Sequence, residues 1–443
     1  MILVFSENNS ERLQYITDLL LRQLCCVHVE IITDKKIFLS HTGSKINYSN
    51  NRLSDNEFYI KPHALLFETE IQLQAIECTD NNGLKTFFKT SNDDLGFDIL
   101  AASFYLITRY EEYLPYKEDE YGRYDHVNSL AYKEGFLQIP IVNLWVEELK
   151  KLLKQKFPAF KIQSNDFRFI PTYDIDIAFS FRNKGIKRNT GGFFKNVLKG
   201  EWTLLKKRIE VVQGDEQDPY DCYEWLDDLH EELNLLPVYF FLVADKQEGY
   251  DKNISPSNEE LQQLIKRHAE KYFVGVHPSW KSNESESILK KEIETMGLMS
   301  GNRNIVISRQ HYIKMKVPET YQRLINEGIE LDFSMGYGAI NGFRASIASP
   351  FKWFDLTKNE VTNLTIYPFC FMDANSFYEL KQNPEQTYNE LKQLYGVVKK
   401  VNGTFVTIWH NHFLGTDPMF AGWKEMYELF LREDLYWDFH QSA

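Results

Sequence analysis

Nothing in the chain is long and apolar enough to span a bilayer. Its 443 residues contain no apolar run near the roughly 18 that a transmembrane helix needs, and the longest clean run covers 236–244. A basic excess is also missing. With 63 acidic against 50 basic residues the formal net charge is −13, which argues against a general nucleic-acid binder. Cysteine is scarce: the five residues are odd in number and never spaced C-x-x-C, which fits a reducing compartment better than a disulfide scaffold. The opening MILVFSENNSERLQ has neither a basic n-region nor a cleavable h-region, so no standard secretion signal is expected and the expected location is cytoplasmic. No repeat period or low-complexity tract is visible.

What is present is a folded composition, 43% hydrophobic and 26% charged, long enough for two or three domains. Aromatics reach 15%; they serve large cores first, and sugar-stacking surfaces second. The first part opens with ILVF, an amphipathic helix over 10–23, and then VHVEII, which predicts a small α/β layer. Phe97, Leu100, Ala101, Phe104 and Ile107 recur at helical spacing. That helix is expected to run through 109–113, a helix end packed between domains, and to stop at Pro115. A further helix is expected from Asn143, as N-cap, to Lys156. The period breaks at FPAFKIQSNDF, which divides the chain into an N-terminal α/β domain over 1–160 and a second domain over 165–443.

The second part changes character. Seven short apolar runs (FRFIPTYDID, PVYFFLVA, YFVGVHPS, NIVISRQH, IELDFSMGY, LTIYPFCFMD and GTFVTIWHN) alternate with helix-forming sequence. Near-continuous apolar strands between helices indicate a parallel sheet buried on both faces. The predicted fold is α/β: a distorted (β/α) barrel of about seven βα units, preceded by the smaller α/β domain. Six runs carry polar residues at their C-terminal ends: Asp174 and Asp176, His277, Arg309 and His311, Asp332, Asp373, and His410 and His412. Asp245 directly follows the remaining run. In a βα barrel such ends converge on one mouth.

Asp174 and Asp176 are two apart on an extended backbone and so face the same way. One carboxylate can ligate a metal while the other acts as a base. His277 is a candidate second ligand, Arg309 a residue that holds and orients a carboxylate, and His410 a general acid. Together they suit metal-assisted hydrolysis of an amide or ester.

In residue order these features resemble the polysaccharide deacetylase superfamily, carbohydrate esterases with the chitooligosaccharide deacetylase homology domain. Thr172-Tyr173-Asp174-Ile175-Asp176 resembles its first motif, Gly275-Val276-His277 the second, Arg309 followed by Pro318 the third, Asp332 the fourth, and Ile408-Trp409-His410 the closing motif. The resemblance implies Asp174 as catalytic base, Asp176 and His277 as ligands of a divalent metal (zinc by expectation), Arg309 orienting the base, and His410 as acid. It also implies an acetylated carbohydrate as substrate. The whole chain resembles a bacterial subgroup that carries an additional N-terminal domain of unknown role.

The pattern departs from the family where a second His is expected, four residues after His277; here Lys281 stands. A lysine ligates only when deprotonated, so His311 is the candidate replacement for the third ligand. Asp332, Arg344 and Trp409 are candidate substrate-binding residues, with a loop salt bridge as the alternative for Arg344. Asp373 and His412 read as supporting or capping groups, and Cys370 as a small core residue. Residues 182–208 hold nine basic residues and one acid among aromatics, a solvated helix or lid first, and a peripheral contact with an anionic membrane or glycan second. The rival functions are a non-catalytic carbohydrate-binding protein that has lost its metal, and a glycoside hydrolase.

Overall fold

The computed structural model describes residues 1–81, 83–182 and 202–436. Strand β1 (Ile2–Ser6) is buried along its whole length. The helix Glu11–Thr17 follows, its start fixed by Ser10, whose side chain accepts from the Leu13 N–H, and it runs on as a wider turn over Asp18–Leu24. Strands β2 (Val29–Ile32), β3 (Lys45–Tyr48) and β4 (Phe58–Ile60) complete an all-parallel sheet in the order β2-β1-β3-β4. A short hairpin, β5 (Thr79–Asn81) with β6 (Leu84–Thr86), precedes the helices Ile99–Ile107 and Ile141–Lys156.

Two predicted helix limits are corrected. The first of these helices ends at Ile107 because Arg109 adopts a left-handed backbone (φ 55°), and 110–113 form a separate tight turn. The second begins behind Pro140, two residues before the expected cap. Asn143 lies inside it, and its side chain bonds the Ser349 hydroxyl (3.0 Å) and the Ala348 N–H (2.8 Å).

The second part is built on one nine-stranded sheet. Its members are β7 (Arg168–Ile175), β8 (Val238–Phe241), β9 (Phe273–Val276), β10 (Ile307–Ser308), β11 (Leu331–Asp332), β12 (Phe351–Asp355), β13 (Glu360–Ile366), β14 (Phe371–Met372) and β15 (Thr404–His410). Their order is β12-β13-β11-β10-β9-β8-β7-β15-β14, parallel throughout except for the β12–β13 hairpin. Helices separate the strands as the sequence predicts, for example Glu259–Lys271 capped by Asn258, and Pro384–Lys400 with a capping box of Asn383 and Gln386.

The barrel expectation is met only in part. Among the described residues no ladder joins β12 to β14, and the β12–β13 pair gives the parallel sheet an antiparallel edge. The run LTIYPFCFMD, expected to be one strand, is two. Pro368 has no N–H to donate, and the chain leaves β13 beside β11 and re-enters as β14 beside β15. The step from Ile366 to Phe371 spans at most about 18 Å, whereas the strands between β13 and β14 would separate them by about 34 Å in a flat sheet. The sheet is therefore strongly curled, bringing its parallel strand ends toward one another.

The two parts share a continuous apolar core. Tyr15 donates to the Lys352 carbonyl (2.7 Å), and Phe104 meets Phe354 edge-on with ring centroids 5.2 Å apart. A buried ionic group pins the contact: Glu112 receives Arg344 through both oxygens (2.6 and 2.8 Å) and Arg109 through one (2.7 Å). Arg344 thus holds the N-terminal part in place, which corrects its reading as a substrate-binding residue. Residues 183–201, most of the basic segment singled out above, lie outside the described residues; Arg182, at its start, pairs with Glu260. No described helix is long and apolar enough to cross a membrane.

Two outcomes are expected. Arg344→Met leaves the buried Glu112 with one fewer cation, and should cost about 3–5 kcal/mol in urea unfolding. His230, buried against the Tyr173 hydroxyl at 2.7 Å, has its pKa lowered by burial to about 3. The unfolded chain therefore takes up that proton first, so the contribution is complete above the ordinary histidine value and is lost as pH falls below it. Between pH 7 and pH 5 the wild type should lose about 2 kcal/mol that a His230→Gln variant does not lose.

Candidate active site

The curled sheet gathers the ends of β7, β9, β10 and β15. Asp174 lies at the end of β7 in direct register with His410 on β15, and Asp176 follows two residues on. His277 follows β9, and Arg309 and His311 follow β10. Gly275 makes the approach of β9 to its neighbours possible: a Cβ there would lie 2.8 Å from both the Ile307 carbonyl and the Phe240 ring.

Arg309 is the centre of the cluster. Its Nη1 donates to Asp174 Oδ1 (2.9 Å) and to Thr172 Oγ1 (2.6 Å), its Nε donates to the Phe333 carbonyl (3.0 Å), and its guanidinium lies 4.4 Å from the centre of the Phe240 ring. Its own carbonyl meets His277 Nδ1 at 2.6 Å. A carbonyl only accepts, so Nδ1 carries a proton and Nε2 is the ring atom turned toward the aspartates. That nitrogen lies 3.2 Å from Asp176 Oδ1, a buried oxygen with no hydrogen-bond partner, and 3.8 Å from Asp174 Oδ2.

Two other imidazoles are anchored in the same way. His311 Nδ1 bonds Asp251 (3.0 Å) and leaves Nε2 3.5 Å from Asp176 Oδ2. His410 Nδ1 bonds Asp373 (2.6 Å) and leaves Nε2 3.7 Å from the same oxygen. Burial alone would lower both histidines. The facing carboxylates outweigh it, raising His311 to about 9 and His410 to about 10. Burial opposes ionisation of Asp176 too, but the surrounding histidines bring it well below the usual carboxylate range. Burial, reinforced by the neighbouring His410 and only partly opposed by Asp176, lowers His412 to about 3.

Asp176, His277 and His311 place one ligand atom each within 4.8 Å of one another. One carboxylate and two imidazoles, each ring fixed through its far nitrogen, form a donor set suited to a divalent cation with coordination positions left open; the cation would displace the proton that His311 otherwise holds. Lys281 does not take part; its ammonium is exposed and paired with Glu248 at 2.5 Å.

These groups open into a cavity of 570 Å³ whose walls include Asp174, Asp176, His277, His311, His410 and His412. The remaining expectations are corrected. Asp332 is fully buried beneath the mouth, where it accepts from the Ser308 (2.9 Å) and Ser334 (2.8 Å) hydroxyls. Trp409 alternates with His410 along β15 and so faces the helices, against Tyr427 and Phe371. Asp245 is exposed and pairs with Lys291 (2.7 Å).

Asp251 was invisible in the sequence, because it sits in a loop with no periodic or strand-end signal. The role of Asp373 in orienting His410 needed the β14–β15 pairing to be known. The N-terminal part also reaches the cavity: Arg123 donates to the Tyr312 carbonyl (2.6 Å), holding a residue in the left-handed region (φ 59°) directly after His311.

Compared with known proteins, residues 2–158 match a family of unknown function (DUF7033). No curated protein matches the chain. A solved structure of a Mycobacterium smegmatis protein, assigned as a polysaccharide deacetylase, is similar over 61% of this chain and 84% of that one, at 14% identity and a TM-score of 0.39. At that level the likeness carries no argument for fold or activity.

The Arg123 contact generates a test. A Cβ on Gly338 would lie 2.0 Å from Arg123 Nη1, so Gly338→Ala should cost about 1–3 kcal/mol of stability. The cost should shrink when Arg123→Ala is made in the same chain. Additive losses in the double variant would show that the two residues are not in contact.

Proposed function

We propose that the protein is a metal-dependent hydrolase that removes acetyl groups from an acetylated sugar or polysaccharide. The reading rests on one observation: Asp176, His277 and His311 turn free ligand atoms toward a single point, beside a carboxylate held by arginine and an imidazole held by aspartate. A divalent cation fits because a buried carboxylate oxygen, Asp176 Oδ1, and an imidazole nitrogen, His277 Nε2, converge to 3.2 Å with His311 beside them. Zinc suits this oxygen and nitrogen set. When bound, such an ion polarises an acyl carbonyl and acidifies water.

The chain's own groups carry the proton transfers. Asp174 has Oδ1 taken by Arg309, which leaves Oδ2 turned toward His277 and able to accept a proton from the attacking water. His410, steered by Asp373, presents Nε2 from the other side and gives its proton to the departing sugar nitrogen or oxygen. The acyl C–N or C–O bond breaks, giving acetate and a free amine or hydroxyl. Hydrolysis of a glycosidic bond fits less well, because Asp174 and Asp176 lie against the same histidine nitrogen rather than across a sugar ring.

Metal content and acetate release from acetylated oligosaccharides test the reading on the same samples. The wild type should carry one equivalent of metal, and Asp176→Ala, His277→Ala and His311→Ala should lose it, while Lys281→Ala keeps it. Asp174→Asn should keep the metal while acetate release falls about 10²–10⁴-fold. A wild type that binds glycan but holds no metal and releases no acetate would instead be a carbohydrate-binding protein.

A further inference from the structure

The wall of the cavity next to His311 is aromatic, and part of it comes from the N-terminal part of the chain. The Tyr312 ring lies 4.7 Å from that of His311, with Tyr250 (5.0 Å) and Tyr121 (5.6 Å) beyond it. Trp280 backs the group 4.3 Å from Tyr250 and is covered on one side by the Lys314 ammonium at 3.9 Å. Tyr250 and Tyr312 remain 41% and 39% exposed. Aromatic surface left open inside a polar cavity is a binding feature rather than core.

Tyr121 is not loosely placed. The Arg123 guanidinium lies 4.6 Å from its ring centre, and the same arginine holds the Tyr312 carbonyl. Arg123 is itself fixed by Asp119 (2.7 Å). One residue thus sets both the N-terminal wall and the backbone that follows a proposed metal ligand.

We infer that Tyr121, with Tyr250 and Tyr312, forms a stacking subsite for a sugar ring next to the one that loses its acetyl group, so that the substrate is a glycan chain and the N-terminal part is a component of its binding site. The rings are inclined to one another by 43–68°, so the C–H face of a pyranose would stack on one of them with the other two at its edges, while its hydroxyls reach the charged residues Glu120 and Lys252 lining the same cavity. The inference deepens the proposed function and takes from it only the carbohydrate class of the ligand.

The test measures affinity by calorimetry, independently of turnover, for N-acetylglucosamine and its β-1,4-linked oligomers of up to five units, and for O-acetylated xylose and xylooligosaccharides of the same lengths. In the wild type at least one series should gain about tenfold in affinity from one unit to four, and in Tyr121→Ala the gain should fall below about threefold. Tyr121→Trp should restore it, and thermal unfolding on each variant separates loss of the wall from loss of the fold. Affinity that does not rise with length in either series, or a length dependence kept intact in a folded Tyr121→Ala, overturns the inference. Length-dependent binding lost in Tyr121→Ala, without acetate release from any probe, would leave the subsite standing and remove the deacetylase reading.

Discussion

A guanidinium buried without access to water is unfavourable unless its donors are met by oxygen; Arg309 meets that demand at Nε and Nη1, though not at Nη2, by drawing three strands together. Its side chain fastens to Thr172 and Asp174 on β7 and to the Phe333 carbonyl just beyond β11, while its own backbone carbonyl fixes the tautomer of His277 beyond β9. The proposed base and one proposed ligand are therefore placed by the two ends of a single residue. Shortening the side chain would free Asp174 to turn, while the backbone carbonyl would still hold the His277 ring.

The orientation of the other two histidines follows the same rule with different partners. Asp251 and Asp373 each accept a hydrogen bond from an Nδ1–H and leave an Nε2 aimed at Asp176. Asp251 belongs to the loop after β8 and also receives the Trp280 N–H (2.9 Å), so ring orientation at the centre is linked to the aromatic wall at the rim.

Much of this was legible in the residues. Strand ends carrying Asp, His and Arg imply a shared mouth when the sheet is parallel, and Asp174, Asp176, His277, Arg309, His311 and His410 do meet there. Asp332, Arg344 and Trp409 do not reach it, for reasons that periodicity alone does not reveal. Trp409 follows the two-residue alternation of its strand away from His410. Arg344 answers to Glu112, more than two hundred residues away in sequence. The curl of the sheet was legible only in part, since Pro368 divides one apparent strand into two. Contacts made by irregular segments, such as Asp251, Tyr121 and Arg123, have no repeating pattern to announce them.

The pairing of β7 with β15 also sets the order in which the protein can be made. Thr172 and Thr407, bonded across those strands, are separated by 235 residues, and closing a loop of that length costs about 5 kcal/mol of chain entropy before any contact repays it. On a ribosome the first strand of the second part meets β8 early, but must wait for nearly all of the remaining chain to emerge before its other neighbour, β15, exists. The N-terminal sheet, whose strands pair within its first sixty residues, is under no such delay. Synthesis thus pairs the N-terminal strands while the central seam of the second sheet is still open, and Asp174 and His410 first face each other when that seam closes.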